Sequence, residues 1–175
     1  AEALKAELAD LEFYPECHIR ESVTSTFDWL KDLEKAGAPH GTVVIAEKQT
    51  AGRGRRGRSW ESPKGGAWIG ILLRPTFALE LSSCLSVVTA VAMCKGIEAR
   101  YNLPVKTKWP NDLLLDDKKL CGILSELMSD ASKIRALSLG MGVNVNNSVP
   151  NAARYGAISV ADVLGHGIAL KEFSG

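Results

Sequence analysis

Apolar and polar residues recur along this chain with two different periods, and the change of period divides it into elements. Phe27, Leu30 and Leu33 fall on one face of a helix, and Ser22-Val23-Thr24-Ser25-Thr26 just before them offers several hydroxyl groups able to cap its N-terminus. Gly37 and Pro39 end that helix. Thr42-Val43-Val44-Ile45-Ala46 is β-branched and apolar, which predicts a buried strand, and residues 67–73 predict a second one closed by Pro75. Across 81–100, Leu85, Val88, Ala92 and Ile97 recur at helical spacing and predict a long central helix with that face inward. Further strands are expected at 105–109 with 112–115, at 120–127 and at 134–143. Polar connections at Asp116-Asp117-Lys118 and Ser129-Asp130-Ala131-Ser132 make them an antiparallel meander. Ser159 with Asp162 reads as a capping box opening a last short helix that Gly165 terminates. Strands grouped after a helix, rather than strictly alternating with helices, predict an α+β fold: a mixed, largely antiparallel sheet packed by helices.

Composition narrows the function classes. The 175 residues suit one domain, and 46% hydrophobic with 23% charged residues is ordinary for a soluble globular protein. A net charge of +1 gives no global reason to expect nucleic acid or an anionic membrane as partner, so any basic function must be local. Cys17, Cys84, Cys94 and Cys121 are scattered, and His18, His40 and His166 do not complete the close spacing of a zinc site. They read as reduced thiols, which fits the cytoplasm. No apolar run approaches the roughly 20 residues of a membrane span. The first residues, up to 13, read as a short polar helix or arm closed by Pro15, with no signal-peptide core. The absence of an initiator Met suits an excised fragment.

The segment Gln49-Thr50-Ala51-Gly52-Arg53-Gly54-Arg55-Arg56-Gly57-Arg58-Ser59-Trp60 carries the strongest local chemistry. Its glycines let backbone amides approach a ligand, and its four arginines supply forked, permanently charged donors, so the loop suits a polyanion. Gly52, Gly54 and Gly57 match the spacing of a dinucleotide fingerprint, but that pattern works only where the loop opens a helix. Trp60-Glu61-Ser62-Pro63-Lys64-Gly65-Gly66 is a poor helix start, so the reading fails. The P-loop reading fails too, for want of its lysine and helix. An arginine–glycine element for single-stranded nucleic acid is a third reading, but such elements usually lie in long disordered tracts. A solvated basic turn is the bland alternative.

Lys108-Trp109-Pro110-Asn111-Asp112 lies between two strand-like stretches, and Pro110 breaks the ladder there. Asn111 can donate and accept; ionised Asp112 only accepts, suiting a metal ion or a nucleophile's proton. A plain turn is the competing reading. Counting odd and even positions puts Lys119, Cys121 and Ile123 on one strand face, where a lysine would be partly desolvated and near any anion. An edge-strand lysine that discourages aggregation is the alternative. Gly140-Met141-Gly142-Val143-Asn144 ends another strand, with glycines that permit close backbone approach.

Taken together, QTAGRGRRGRSW, KWPNDLLLDDKKLCGILSE and GMGVNVN occur in that order and resemble the hallmark segments of biotin–protein ligases, over a stretch from about Ser22 to the end. The resemblance implies the catalytic domain of the biotin/lipoate ligase family, related in fold to class II aminoacyl-tRNA synthetases. It implies ATP-dependent activation of biotin to biotinyl-5'-AMP with Mg2+, then transfer to a lysine of a biotin carboxyl carrier protein. Ser25, Thr26 and Gln49 would bind the ureido ring, with Gly52 and Arg53 completing that pocket and Arg53 covering the activated carboxylate. Arg55, Arg58 and Trp60 would close over the adenylate. Asn111, Asp112 and Asn144 would face the nucleotide and magnesium. Lys119 would contact the biotin carboxylate and the α-phosphate, and Gly122 would line the biotin site. Lys119, Arg55 and Asp112 are thus the catalytic candidates, with Asp112 also the metal candidate and a group that could orient or deprotonate the incoming amine.

The chain departs from the family pattern in three places. Phe27 stands where members usually carry Asn after the Ser-Thr pair. A helix and small SH3-like domain that normally follow are expected to be absent after Gly175. Residues 1–20 are expected as an arm or linker, resembling the piece after a helix-turn-helix domain that is itself absent, with 21–175 the catalytic domain. No DNA binding and no membrane contact are therefore expected, a homodimer remains open, and an excised or engineered core with reduced carrier selectivity fits. Lipoate–protein ligase is the near rival, because it shares fold and two-step chemistry. A nucleic-acid-binding module and a non-catalytic biotin-binding protein are the rivals from other classes.

Overall fold

The computed structural model describes residues 16–76, 82–129, 134–148, 156–170 and 173; the polar arm predicted for residues up to 13 lies outside them. In chain order the elements are β1 (Cys17–Arg20), α1 (Thr26–Lys35), β2 (Val43–Ala46), a 3-10 turn (Arg55–Gly57), β3 (Ala67–Leu73), α2 (Ser82–Tyr101), β4 (Lys106–Lys108), β5 (Asp112–Leu115), β6 (Lys118–Ser129), β7 (Ile134–Val143) and α3 (Val160–Leu164). The seven strands form one sheet in the order β1-β2-β3-β7-β6-β5-β4. Only β1 and β2 run parallel; every other neighbouring pair is antiparallel. This is the mixed α+β sheet that the grouping of strands predicts, with β4 to β7 as the expected meander.

The boundaries come from local chemistry. The Ser25 hydroxyl accepts the Phe27 amide at the start of α1. In α3 the Ser159 hydroxyl and the Asp162 carboxylate satisfy each other's backbone amides, and Gly165 closes the helix at φ 75°, as the capping box predicts. Strand β1 is a departure from the expected arm over residues 1–20. Cys17–Arg20 pairs with Val43–Ala46, and α1 provides the crossover of a βαβ unit. Cys17-His18-Ile19-Arg20 does alternate apolar and polar, but four residues just after Pro15 are too short a run to distinguish a strand from an arm.

One sheet face packs against α2 and α3. Leu113, Leu115, Cys121, Ile123, Leu137, Leu139, Met141 and Val143 form its buried layer, joined by Ala90 and Ile97 of α2. Burying one such Leu side chain stabilises the fold by about 1.5–3 kcal/mol. The inward stripe of α2 differs from the predicted one. Leu85 and Ile97 do pack inward, but Val88 is 63% exposed and Ala92 is exposed. The buried line instead runs Ser86, Ala90, Ile97, because nearly every face of this helix is apolar and the sheet selects among them.

The other face packs α1, with Trp29 and Leu30 against Val44, Leu72 and Ala136. The buried Glu34 carboxylate ties α1 to the strand ends, 3.1 Å from Arg135 and 3.7 Å from Arg74. Beyond α1 this face is open and carries the site. A second departure lies here: Leu113 pairs with Cys121 but Leu114 with Lys119, so β6 bulges at Leu120. The extra residue moves Lys119 off the face shared by the buried Cys121 and Ile123 and onto the open face beside Gly122. Burial pushes the Cys121 thiol well above the ordinary thiol range on the far side. Among the described residues no helix is long and apolar enough to cross a membrane.

Candidate active site

The arginine–glycine segment folds as a hairpin. The Gln49 amide donates to the Ser62 carbonyl, the Trp60 amide to Gly52 at 2.9 Å and the Gly54 amide to Arg58 at 2.7 Å. Arg56 and Gly57 turn the tip at φ 59° and 71°. A side chain at Gly52 would put its Cβ 2.3 Å from the Trp60 carbonyl oxygen, so the base of the hairpin closes only around glycine. No helix follows, in keeping with the rejection of the dinucleotide and P-loop readings.

Between this hairpin, the start of α1 and the open face of β5, β6 and β7 lies a cavity of about 730 Å3. Thr26, Gln49, Arg53, Arg55, Arg58, Trp60, Asn111, Asp112, Lys119, Gly122 and Asn144 all line it. Two expected residues do not. Ser25 is fully buried beneath the site with its hydroxyl on the helix cap, and buried Gly52 shapes the hairpin base.

At one end, the Lys119 ammonium stands 2.9 Å from an Asp112 carboxylate oxygen, an ion pair with both groups about three-quarters buried. It also stands 4.9 Å from the centre of the Trp60 ring, a cation–π contact. Asn111 donates to the Ile123 carbonyl at 2.8 Å and accepts from the Arg55 guanidinium at 2.9 Å, so it links the hairpin tip to β6. Buried Asn144 donates to the Lys119 carbonyl at 3.4 Å and accepts from Asn147 at 3.1 Å. The Trp60 indole lies across two strands: a Cβ at Gly142 would fall 2.6 Å from it and one at Gly122 3.2 Å.

At the other end, the Thr26 amide and hydroxyl both donate to the Gln49 side-chain oxygen, at 2.8 and 3.2 Å. The Gln49 amino group donates to Ser62 at 2.8 Å. The Arg53 guanidinium is held 2.6 Å from Asp28 and 3.7 Å from Glu126, and lies 5.4 Å from the centre of the Phe27 ring. Sequence reasoning missed Asp28, Glu126 and Leu124. Leu124 and Glu126 lie inside the segment KWPNDLLLDDKKLCGILSE without a role assigned to them, Asp28 lies outside every quoted segment, and only the fold brings helix, strand and hairpin together there.

Among the described residues no group of three or more metal-binding side chains gathers. The carboxylate of Asp112 and the amide oxygen of Asn111 are hard oxygen donors, too few to cage a cation alone. They fit a magnesium ion that arrives with phosphate oxygens.

The family model of the biotin/lipoate A/B protein ligases matches residues 19–144, most of the chain and every lining residue named above. The chain belongs to this family. The bifunctional ligase/repressor BirA of Bacillus subtilis is 39% identical over 150 residues, covering 83% of this chain and 46% of its own length. The biotin protein ligase from Aquifex aeolicus in complex with biotin and ATP superposes with a TM-score of 0.77 at 31% identity, over 91% of this chain and 67% of that one. The biotin protein ligase from Leishmania major in complex with biotinyl-5-AMP gives a TM-score of 0.75 at 29% identity, over 91% and 70%. The chain thus spans less than half the length of the Bacillus ligase/repressor.

Proposed function

We propose that this chain activates biotin with ATP to biotinyl-5'-AMP and passes the biotinyl group to a lysine of a biotin carboxyl carrier protein. The observation that carries this reading is the convergence of Arg55, Arg58 and Lys119 on one cavity with Asp112 and Asn111. Two anions, a carboxylate and a triphosphate, must be brought together, and fixed cations are most effective where their charge concentrates. Thr26 and Gln49, bonded to each other and to Ser62 at the end away from Lys119, are the donors and acceptors a cyclic urea would take up by exchanging those bonds. Arg53 borders that end, held by Asp28 and Glu126 against the Phe27 ring.

In the first step a biotin carboxylate oxygen attacks the α-phosphorus, the bond to the β-phosphate oxygen breaks and pyrophosphate leaves. Lys119 holds the attacking carboxylate and the α-phosphate, while Arg55 and Arg58 stabilise the departing charge. Asp112, with Asn111 and Asn144 also lining the cavity, would hold a magnesium ion, and that ion would screen phosphate repulsion. In the second step the carrier lysine attacks the acyl carbon, the acyl–phosphate bond breaks and AMP leaves; Asp112 takes or orients the amine proton. Trp60 and the hairpin exclude water from the mixed anhydride.

The decisive experiment incubates the chain with biotin and magnesium-ATP and analyses the products by mass spectrometry, with lipoate in a parallel reaction. Biotinyl-adenylate is the expected product. Lipoyl-adenylate alone would move the assignment to the other acid of the family, and no adenylate from either acid would refute it.

A further inference from the structure

Phe27 stands in the cavity wall next to Thr26, and its ring is held on both sides. On the inner side it presses on β7, where a Cβ at Gly140 would fall 2.5 Å from the ring. On the outer side lies the Arg53 guanidinium, itself held by Asp28 of α1 and Glu126 of β6. Phe27 is only 6% exposed, and it occupies the second position of α1, so its backbone is fixed by the helix it starts. Leu124 pairs with Gly140 across β6 and β7 and completes an apolar wall beside the polar pair Thr26 and Gln49. Such a wall cannot recede, because strand backbone lies directly behind it.

We propose that Phe27 sets the upper size of the ring system this site accepts, by walling off bulk at the position of the second ring. The inference rests on the biotin reading above. A urea edge held by Thr26 and Gln49 brings the ring fused to it against Phe27, Gly140 and Leu124. A bare thioether sulfur suits that apolar wall. A sulfone at the same sulfur adds two oxygens for which Phe27, Gly140 and Leu124 offer no side-chain donor, the adjacent Arg53 guanidinium being engaged by Asp28 and Glu126. Phe27 acts here as a specificity residue with no part in the chemical step.

The test measures acid-dependent pyrophosphate exchange with biotin and with biotin sulfone in the parent, Phe27→Leu and Phe27→Ala proteins. Phe27→Leu retains most of the buried volume and serves where Phe27→Ala does not fold. The parent is expected to prefer biotin strongly. In the variants the ratio of kcat/KM for biotin over sulfone should fall tenfold or more, through KM for the sulfone, with KM for ATP within twofold of the parent. A structural role alone would slow both acids alike. An unchanged ratio in folded Phe27→Leu, with biotin still activated, overturns this inference and leaves the biotin reading standing. A parent protein that exchanges with neither biotin nor sulfone overturns both.

Discussion

The two faces of β7 do different work with alternate residues of one strand. Leu137, Leu139, Met141 and Val143 pack toward α2 as a continuous apolar layer, while Ala136, Gly140 and Gly142 on the opposite face meet Trp29 and Leu30 of α1, Phe27 and Trp60 respectively. Large residues hold the strand in place, and the small ones leave its backbone open to aromatic rings and to a ligand. Fold and site are thus written in the same ten residues, out of phase by one. A substitution on one face should therefore read out as stability, and on the other as activity.

The sharpest way to break that separation is Leu137→Ala, at a fully buried position. Removing a packed leucine side chain costs about 2–5 kcal/mol, depending on how far the void collapses. The urea midpoint should fall with its slope unchanged. Adenylate formation per folded molecule should stay within twofold of the parent. A tenfold loss of activity in protein that remains folded would show that the two faces are not independent.

Lys119→Ala probes the opposite face and should give nearly as large an effect in the other observable. Loss of a charge-assisted contact where two anions meet lowers transition-state stabilisation by about 2–4 kcal/mol, a fall in adenylate formation of about thirtyfold to a thousandfold. Leaving the Asp112 carboxylate, about three-quarters buried, without its partner should also lower unfolding free energy by about 1–3 kcal/mol. Adenylate made at the parent rate would remove Lys119 from the mechanism.

The same division explains what was legible in the sequence. Elements set by local chemistry were readable: a hydroxyl cap for α1 within residues 22–26, the β-branched β2, the Ser159–Asp162 capping box and the antiparallel meander. The family segments also contain most of the cavity lining, because each lies in a hairpin or at a strand end on the open face, while Thr26 and Phe27 lie outside them. What failed depended on a partner elsewhere in the chain. Strand β1 exists only because β2 pairs with it. The inward stripe of α2 is chosen by the sheet, and the face of Lys119 by a bulge visible only in the register of β5 against β6. Gly52 shows the limit of a motif: the resemblance puts it in the biotin pocket, and the geometry gives it the task of closing the hairpin.

Ligand protection of the hairpin is a further expectation. Arg53, Arg55, Arg56 and Arg58 are four trypsin sites in one short loop, which docks through the Arg53 and Arg55 contacts. A ligand at about 100 times its dissociation constant stabilises the bound form by roughly 2.7 kcal/mol, enough to slow cutting about a hundredfold where only the open form is cut. Digestion with and without biotin plus magnesium-ATP, followed by mass spectrometry, measures it. Equal cleavage rates in the two samples would mean that the hairpin does not close over ligand.

The smallest effect is expected at Ser25, where the two functions of this sheet face come closest together. The resemblance implies a contact with the ureido ring, yet the side chain is fully buried, lies outside the cavity lining and accepts the Phe27 amide at 3.2 Å. Its demand is therefore that of a helix cap, and Ser25→Ala should lower unfolding free energy by about 1 kcal/mol, with Ser25→Thr restoring most of it. Because the cap fixes the first turn that carries Thr26 and Phe27, a small rise in KM for the acid is compatible with a capping role, and it should stay within twofold. Urea unfolding of the three proteins beside pyrophosphate exchange distinguishes the two roles. A tenfold rise in KM for biotin in Ser25→Ala at near-parent stability would put the hydroxyl on the ligand, and would shift the polar end of the pocket one residue deeper than Thr26.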